Sequence, residues 1–138
     1  MSPSDKPFRI PPISPAAPGP LYRQIVEGVK REIGEERLEP GQPLPSFRNL
    51  AEDLLVSLIT VKRAYEELER EGIIYRKQGL GTFVSENGAA RSRAVKRRRA
   101  EELLRQAVRE AGEAGMNARE IQELAQRLIH ERQGEKDR

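Results

Sequence analysis

Residues 46–84, SFRNLAEDLLVSLITVKRAYEELEREGIIYRKQGLGTFV, decide the fold of this chain. Ser46 is a suitable N-cap for a short helix over about residues 47–54, because its hydroxyl can accept a hydrogen bond from a free N–H group of the first turn. Ser57 stands in the same relation to a longer helix over about residues 58–71, whose apolar side chains recur on one face. The pattern predicts two successive helices joined by a short turn.

Two β-rich runs follow, at residues 73–77 and 82–85, and residues 78–81, QGLG, separate them. Glycine adopts the backbone angles of tight turns without a steric cost, so this arrangement predicts a β-hairpin. Upstream, an apolar residue recurs at every fourth position and predicts a helix over about residues 21–36. Three helices followed by a hairpin is the order of a winged helix-turn-helix, so the predicted fold is mostly α with a small β-hairpin.

This order of elements suits recognition of double-stranded DNA. The third helix, supported by the second, can present its N-terminal side chains to base edges in the major groove. The hairpin can then lie on the adjacent minor groove or on the phosphates. We therefore expect the third helix and the hairpin to bind DNA.

The charge of the predicted DNA-binding part is not basic. Residues 20–88 carry ten lysines and arginines against twelve aspartates and glutamates, a net charge of −2. Residues 91–99, RSRAVKRRR, carry six positive charges and no negative one. Any positive DNA-facing surface in 20–88 must therefore be a local patch. The tract 91–99 has three interpretations: a solvated helix start, a phosphate-binding element, or the rim of a dimer interface.

Several classes of function are excluded by the residue types present. The chain of 138 residues has no cysteine and a single histidine, His130, so no disulfide, cysteine nucleophile or metal-ligand spacing occurs. Neither a G-x-S-x-G motif nor a P-loop is present, and we expect no enzyme activity, cofactor or metal. No apolar run approaches the roughly 20 residues of a membrane span, no secretory signal is evident, and the lack of cysteine favours a cytoplasmic location.

The remainder of the chain, beyond Gly88, is predicted to be helical. An amphipathic stripe extends over about residues 95–111, and Asn117 with Glu120 three residues later resembles a capping box that opens a last helix. Two helices too short to make a core of their own must bury their apolar faces elsewhere. They can fold back on the preceding domain or pair with a second copy of the chain.

Four segments, in this order and spacing, resemble the N-terminal domain of GntR-family regulators: PLYRQIVEGVKREI (20–33), LEPGQPLPSFRNLAEDL (38–54), TVKRAYEELEREGII (60–74) and QGLGTFV (78–84). The short C-terminal part resembles that of the YtrA-type subfamily. The resemblance implies a sequence-specific transcriptional regulator, and a repressor in particular. It also implies a homodimer, formed through the C-terminal helices, that binds a palindromic operator.

The resemblance also implies roles for individual residues. Arg48 matches an arginine that contacts DNA in the family. Ser46 and Thr60 match cap and recognition-helix positions near phosphates or bases, and Lys62 matches a basic position of the recognition helix. Gln78 and Gly79 match the tip of the wing. With the second helix cap included, the candidate DNA-binding residues are Ser46, Arg48, Ser57, Thr60, Lys62, Gln78 and Gly79.

Two residues depart from the family pattern. Leu55 stands where a glycine normally makes the turn between the second and third helices, and a residue other than glycine at positive φ costs on the order of 1 kcal/mol. That cost favours a rearranged turn. Leu58 stands where an arginine often contacts DNA, so we expect altered or weakened base readout.

The predicted organisation has four parts. They are a disordered proline-rich tail at 1–19, a winged helix-turn-helix domain at 20–87, a helical dimerisation region at 90–133 and a disordered end at 134–138. The net acidic charge of 20–88 and the apolar pair Leu58-Ile59 support an alternative function. In this alternative, the winged helix is a protein-interaction or assembly module with weak, non-specific DNA binding. The residues do not indicate a small-molecule effector, an operator sequence or the regulated genes.

Overall fold

The computed structural model describes residues 8, 10 and 20–137. Within these residues the predicted mostly helical fold with one hairpin is confirmed. In chain order the elements are α1 (Leu21–Gly34), α2 (Phe47–Leu54), α3 (Leu58–Arg70), β1 (Ile74–Lys77), β2 (Gly81–Val84), α4 (Gly88–Glu113) and α5 (Ala118–Lys136). The chain forms two compact units, Met1–Lys96 and Arg97–Arg138.

The core of the first unit lies between α1, α3 and the hairpin. On α1, Ile25, Val29 and Ile33 are fully buried, while Leu21, the first member of the predicted stripe, is exposed at the helix end. Tyr65 of α3 is buried, and its hydroxyl donates a hydrogen bond of 2.9 Å to the carbonyl oxygen of Pro45. Burial raises the pKa of this phenol, so it stays protonated as a donor. The core therefore connects α3 to the chain that enters α2.

Both helices of the helix-turn-helix start with the predicted serine caps. Ser46 Oγ accepts a hydrogen bond from the backbone N–H of Asn49, and Ser57 Oγ accepts one from that of Thr60, each at 3.1 Å. Each serine stands in extended backbone just before its helix, as an N-cap requires. The local signals in the sequence therefore placed both helix starts correctly.

The turn between α2 and α3 differs from the prediction. Leu55 takes the left-handed conformation, with φ 57° and ψ 44°, and the turn is not rearranged. The backbone N–H of Val56 still donates to the carbonyl of Ala51 at 3.0 Å, which is a normal helix termination. The leucine side chain is 91 % exposed. A leucine therefore makes this turn in the left-handed conformation, and the backbone bears the cost of that conformation.

The hairpin is antiparallel, with Ile74 opposite Val84 and Lys77 opposite Gly81. Residues 41–44 lie along the free side of β2. There the N–H of Leu44 donates to the carbonyl of Thr82 at 2.8 Å, and Pro43 forms a bridge with Phe83. Since residue 44 lies just before the cap of α2, this pairing fixes the hairpin relative to the helix-turn-helix.

The first two turns of α4 pack on α1. Ser92 is buried and donates a hydrogen bond of 2.6 Å to the carbonyl of Lys30, and Arg93 Nη1 donates to the carbonyl of Gly34 at 2.9 Å. Gly88 is also buried, and a Cβ there would come within 2.9 Å of the carbonyl oxygen of Ile73. Because of these contacts the first compact unit extends to Lys96, past the predicted domain end at 87.

The second unit contains the remainder of α4 and α5. Asn117 and Glu120 form the predicted capping box: each side chain accepts a hydrogen bond from the other's backbone N–H. Helix α5 continues to Lys136, past the end predicted at 133. Large apolar side chains of this unit lie exposed: Leu103, Leu104, Val108, Leu128 and Ile129.

Most of the predicted tail, 1–19, lies outside the described residues. Two of its residues, Phe8 and Ile10, are described, and both are half-buried against the core. Ile10 lies on α1 at Gly28, where a Cβ would be 3.2 Å from that of Ile10. No local pattern in the sequence indicates this contact. No helix among the described residues is both long and apolar enough to cross a membrane.

Candidate nucleic-acid interface

Arg48 lies exposed in the first turn of α2. Together with Leu55 and Leu58 it lines a shallow depression of about 530 Å³ between α2 and the start of α3. In the part of the chain that the structure describes, its guanidinium makes no ion pair or hydrogen bond. An arginine with all its donors free at this position can bind an external anion or a guanine edge.

The start of α3 holds three of the predicted site residues. The hydroxyls of Ser57 and Thr60 lie 2.7 Å apart and bond to each other, while Ser57 also caps the helix. Thr60 is half-buried. Lys62 is exposed, and among residues 20–137 its ammonium has no acidic partner. The structure therefore gives the two hydroxyls a structural role and leaves Lys62 as the free charge of this helix.

The tip of the hairpin holds Gln78 and Gly79, and both are exposed. Gly79 has φ 79°, and no atom lies within 4 Å of the place where a Cβ would be. The glycine is therefore needed for the conformation of the turn and not for lack of space. Leu80, next to it, is also exposed. The backbone of this tip is open to another molecule.

Aromatic contacts hold the hairpin against α2. Arg76 of β1 lies over the ring of Phe47, with 4.8 Å between the guanidinium carbon and the ring centroid. Phe47 in turn meets Tyr65 edge-on at 5.2 Å, and Tyr75 stacks on Phe83 across the two strands at 5.6 Å. Because Phe47 precedes Arg48, the hairpin and Arg48 are held on one rigid frame. Arg76 was not predicted from the sequence, since its partner Phe47 is 29 positions away in the chain.

Part of the acidic charge of this unit is neutralised away from the start of α3. Lys30 is buried, and its ammonium lies 2.9 Å from Oε2 of Glu71. Because this oxygen accepts no hydrogen bond of regular geometry from any described residue, the contact is an ion pair. Arg23 lies 3.6 Å from Glu67. Both carboxylates are at the C-terminal end of α3 and are paired with α1. These two pairs take up two acidic and two basic charges away from the start of α3, and they leave the net charge of −2 unchanged.

The basic tract 91–99 is partly engaged inside the first unit. Arg93 donates to Gly34, Lys96 pairs with Glu27, and the guanidinium of Arg91 covers Gly72. Partial burial lowers the pKa of Lys96. These three residues have a structural role, which reduces the charge that the tract can offer to phosphates.

Residues 21–84, from α1 to the end of the hairpin, match the family described as bacterial regulatory proteins, gntR family. The chain is 35 % identical over 124 residues to the HTH-type transcriptional repressor YtrA of Bacillus subtilis, which covers 90 % of this chain and 95 % of that protein. The chain belongs to the GntR family.

Two further relatives show how much of the chain the similarity covers. The transcriptional repressor NagR of Bacillus subtilis is 45 % identical over 73 residues, which are 53 % of this chain and only 30 % of NagR. A solved structure of a GntR family transcriptional regulator from Listeria monocytogenes superposes with a TM-score of 0.66 at 33 % identity, over 79 % of this chain and 95 % of that one. The likeness to YtrA and to the Listeria structure thus extends into the C-terminal helices, whereas that to NagR covers about half of the chain.

Membership of the GntR family settles the class of protein. The family and the relatives found are transcriptional regulators and not enzymes, as predicted. The start of α3 presents an exposed apolar edge. Leu58 and Ile59 are 47 % and 77 % exposed, next to a Leu55 that is also exposed. From the sequence, Leu58 indicated the lack of an arginine at this position, and the structure adds that an apolar surface lies there.

Proposed function

We propose that this GntR-family protein is a repressor that binds a palindromic operator as a homodimer. The near full-length likeness to YtrA, a protein named as a transcriptional repressor, is the observation that carries the proposal. In this proposal the chain acts on bacterial promoter DNA, and therefore in the cytoplasm. The mechanism is occlusion, because a dimer bound across a promoter excludes RNA polymerase from it.

The proposed DNA surface consists of the start of α3, Arg48 and the tip of the hairpin. Helix α3 would enter the major groove with its first turn leading, which brings Thr60 and Lys62 near bases and phosphates. Arg48 would bind a phosphate or a guanine beside it, since its donors are free. Gln78 and Gly79 would approach the neighbouring minor groove through exposed backbone N–H groups. Ser46 and Ser57 would add phosphate contacts at two helix N-termini, where the helix dipole favours negative charge.

The proposed dimer forms through the C-terminal helices. The five exposed apolar side chains of the second unit support this, because an apolar stripe of this size on a soluble protein normally meets a partner. A two-fold dimer presents the same surface twice, so the two α3 helices would read two inverted half-sites. The partner of this region is therefore a second copy of the same chain.

A second candidate function is a protein-interaction module with weak, non-specific DNA binding. The exposure of Leu58 and Ile59 favours it, since apolar side chains at a recognition-helix start also suit a protein surface. The two functions differ in sequence preference. Affinity for an operator depends on the DNA sequence, whereas weak, non-specific DNA binding does not, and both fall as salt increases.

The test of the proposal is a gel-shift titration at one stated salt concentration, on a duplex from the promoter of the protein's own operon. Arg48→Ala should weaken binding about tenfold or more, the loss expected for one good arginine contact. Arg70→Ala is the matched control: Arg70 is exposed at the far end of α3, and its removal should leave affinity within about twofold. Equal binding by wild type and Arg48→Ala would show that the proposed role of Arg48 is wrong.

A further inference from the structure

The start of α3 combines a lack of charge with exposed apolar side chains. Charged residues make up 34 % of the chain, but residues 54–61, LLVSLITV, carry none. Three apolar side chains of this run, Leu55, Leu58 and Ile59, are exposed. Exposed apolar side chains grouped in one place usually mark a contact surface. The run is therefore a candidate contact surface at the very end of the helix that the proposed function places in the major groove.

The polar groups of the same turn are already occupied. Ser57 Oγ and Thr60 Oγ1 bond to each other, and Ser57 also accepts the N–H of Thr60. The first charged residue after the run is Lys62, which lies one helical turn beyond Leu58. The first turn of α3 thus presents mainly methyl groups. On the major-groove edge of the bases the matching group is the C5 methyl of thymine, and the other base edges present hydrogen-bond donors and acceptors.

We propose that Leu58 and Ile59 contact the C5 methyl groups of thymines in the major groove, so that the protein recognises part of each half-site by apolar contact. This inference rests on the proposed function. Arg48 shares a depression with Leu58, and Lys62 is one turn away from it along α3. Both are positive charges without an acidic partner among residues 20–137. An apolar surface with free positive charges beside it is complementary to a thymine methyl group with DNA phosphates beside it.

The neighbouring residues are compatible with this occupant. Glu52 also lines the depression, and a carboxylate there can accept a hydrogen bond from the N4 amino group of cytosine although phosphates repel it. Leu55, at the turn, broadens the apolar surface beside Leu58. A protein partner would require no particular base and no methyl group. Binding of DNA and binding of a protein partner can therefore be distinguished by changing the DNA alone.

The experiment begins with selection of duplexes by the full-length protein from a random pool. Each thymine of the selected site is then replaced singly by deoxyuridine, which removes only the methyl group. At one or two positions per half-site the affinity should fall about fourfold, the ratio expected when one carbon is no longer buried. At the other thymines it should not change. This arm leaves the protein unaltered, so folding does not affect it.

The protein variants then locate the contact. Leu58→Ala and Ile59→Ala should bind the thymine duplex more weakly and should lose discrimination against deoxyuridine at one position each, as in a double-mutant cycle. Leu21→Ala, which removes an exposed leucine at the start of α1 and outside the proposed DNA surface, should keep the discrimination. Leu58→Arg should change the base selected at its position from thymine to guanine, because arginine pairs with the guanine edge.

The outcomes separate this inference from the proposed function. If a sequence is selected but no thymine is sensitive to deoxyuridine, the inference is overturned and the operator-binding function stands. The same holds if Leu58→Ala and Ile59→Ala retain full discrimination. Unchanged DNA affinity in both variants would also overturn it and assign the apolar edge to a protein partner. If no sequence is selected from the pool, the inference and the proposed function fail together.

Discussion

Replacement of Leu55 by glycine should stabilise the protein. Leu55 has φ 57°, and a left-handed conformation costs a residue with a Cβ about 1–2 kcal/mol. Its side chain is almost fully exposed, so its removal loses little packing. Glycine loses about 0.4–1 kcal/mol more backbone entropy on folding, which offsets part of the gain. The expected net gain is about 0.5–1 kcal/mol, which raises the midpoint of thermal unfolding by about 2–6 °C for a unit of this size.

The assay is thermal unfolding followed by circular dichroism at one protein concentration, since self-association would change the midpoint. Leu55→Ala is the matched control, because it removes the leucine side chain but keeps the Cβ that causes the strain. It should unfold within about 0.5 kcal/mol of the wild type, and Leu55→Gly should be clearly more stable than both. A Leu55→Gly variant that is no more stable than Leu55→Ala would refute the assignment of strain to this residue.

Two further substitutions test the packing and the capping described above. Gly88→Ala should destabilise the first unit by about 1–3 kcal/mol, because its Cβ would come within 2.9 Å of the carbonyl oxygen of Ile73. Chemical denaturation measures the free energy of unfolding. A neutral effect would show that α4 is not packed tightly at this residue. Asn117→Ala should cost about 1 kcal/mol, since it removes the side-chain cap of α5. Gln122→Ala, on the exposed surface of the same helix, should change stability by less than about 0.5 kcal/mol, and equal effects of the two would contradict the capping box.

The helix starts were predictable because they depend on neighbours in sequence. Ser46, Ser57 and Asn117 each cap a helix through a hydrogen bond that spans three residues, and the sequence alone identifies such pairs. The hairpin was predictable for the same reason, since glycines at its tip and β-rich flanks are local signals. These elements fix the winged helix-turn-helix as a whole.

The contacts that position the site were not predictable, because they join distant parts of the chain. The pairing of Leu44 with Thr82, the position of Arg76 over Phe47 and the packing of α4 on α1 depend on tertiary structure. The prediction of a rearranged turn at Leu55 was wrong for a related reason. A local cost of about 1 kcal/mol is small beside the burial of the helices that the turn connects.

Whether an exposed charged residue has a partner also depends on the tertiary structure. Arg48 and Lys62 stay predictions for the DNA surface, and the structure adds that their charges have no acidic partner among the described residues. The basic tract 91–99 was open to three interpretations, and Arg93 and Lys96 turn out to make contacts within the first unit. The sequence could not show this, because Lys96 lies 69 positions from its partner Glu27.

The proposed recognition of a specific DNA sequence through α3 of this GntR-family protein can be tested by a single comparison. The affinity of the full-length protein is measured for a duplex selected from a random pool and for a scrambled duplex of the same composition, across a range of salt concentrations. We expect a preference of about 10³-fold or more for the selected duplex, together with a steep loss of affinity as salt increases. Equal affinity for both duplexes at every salt concentration would contradict it.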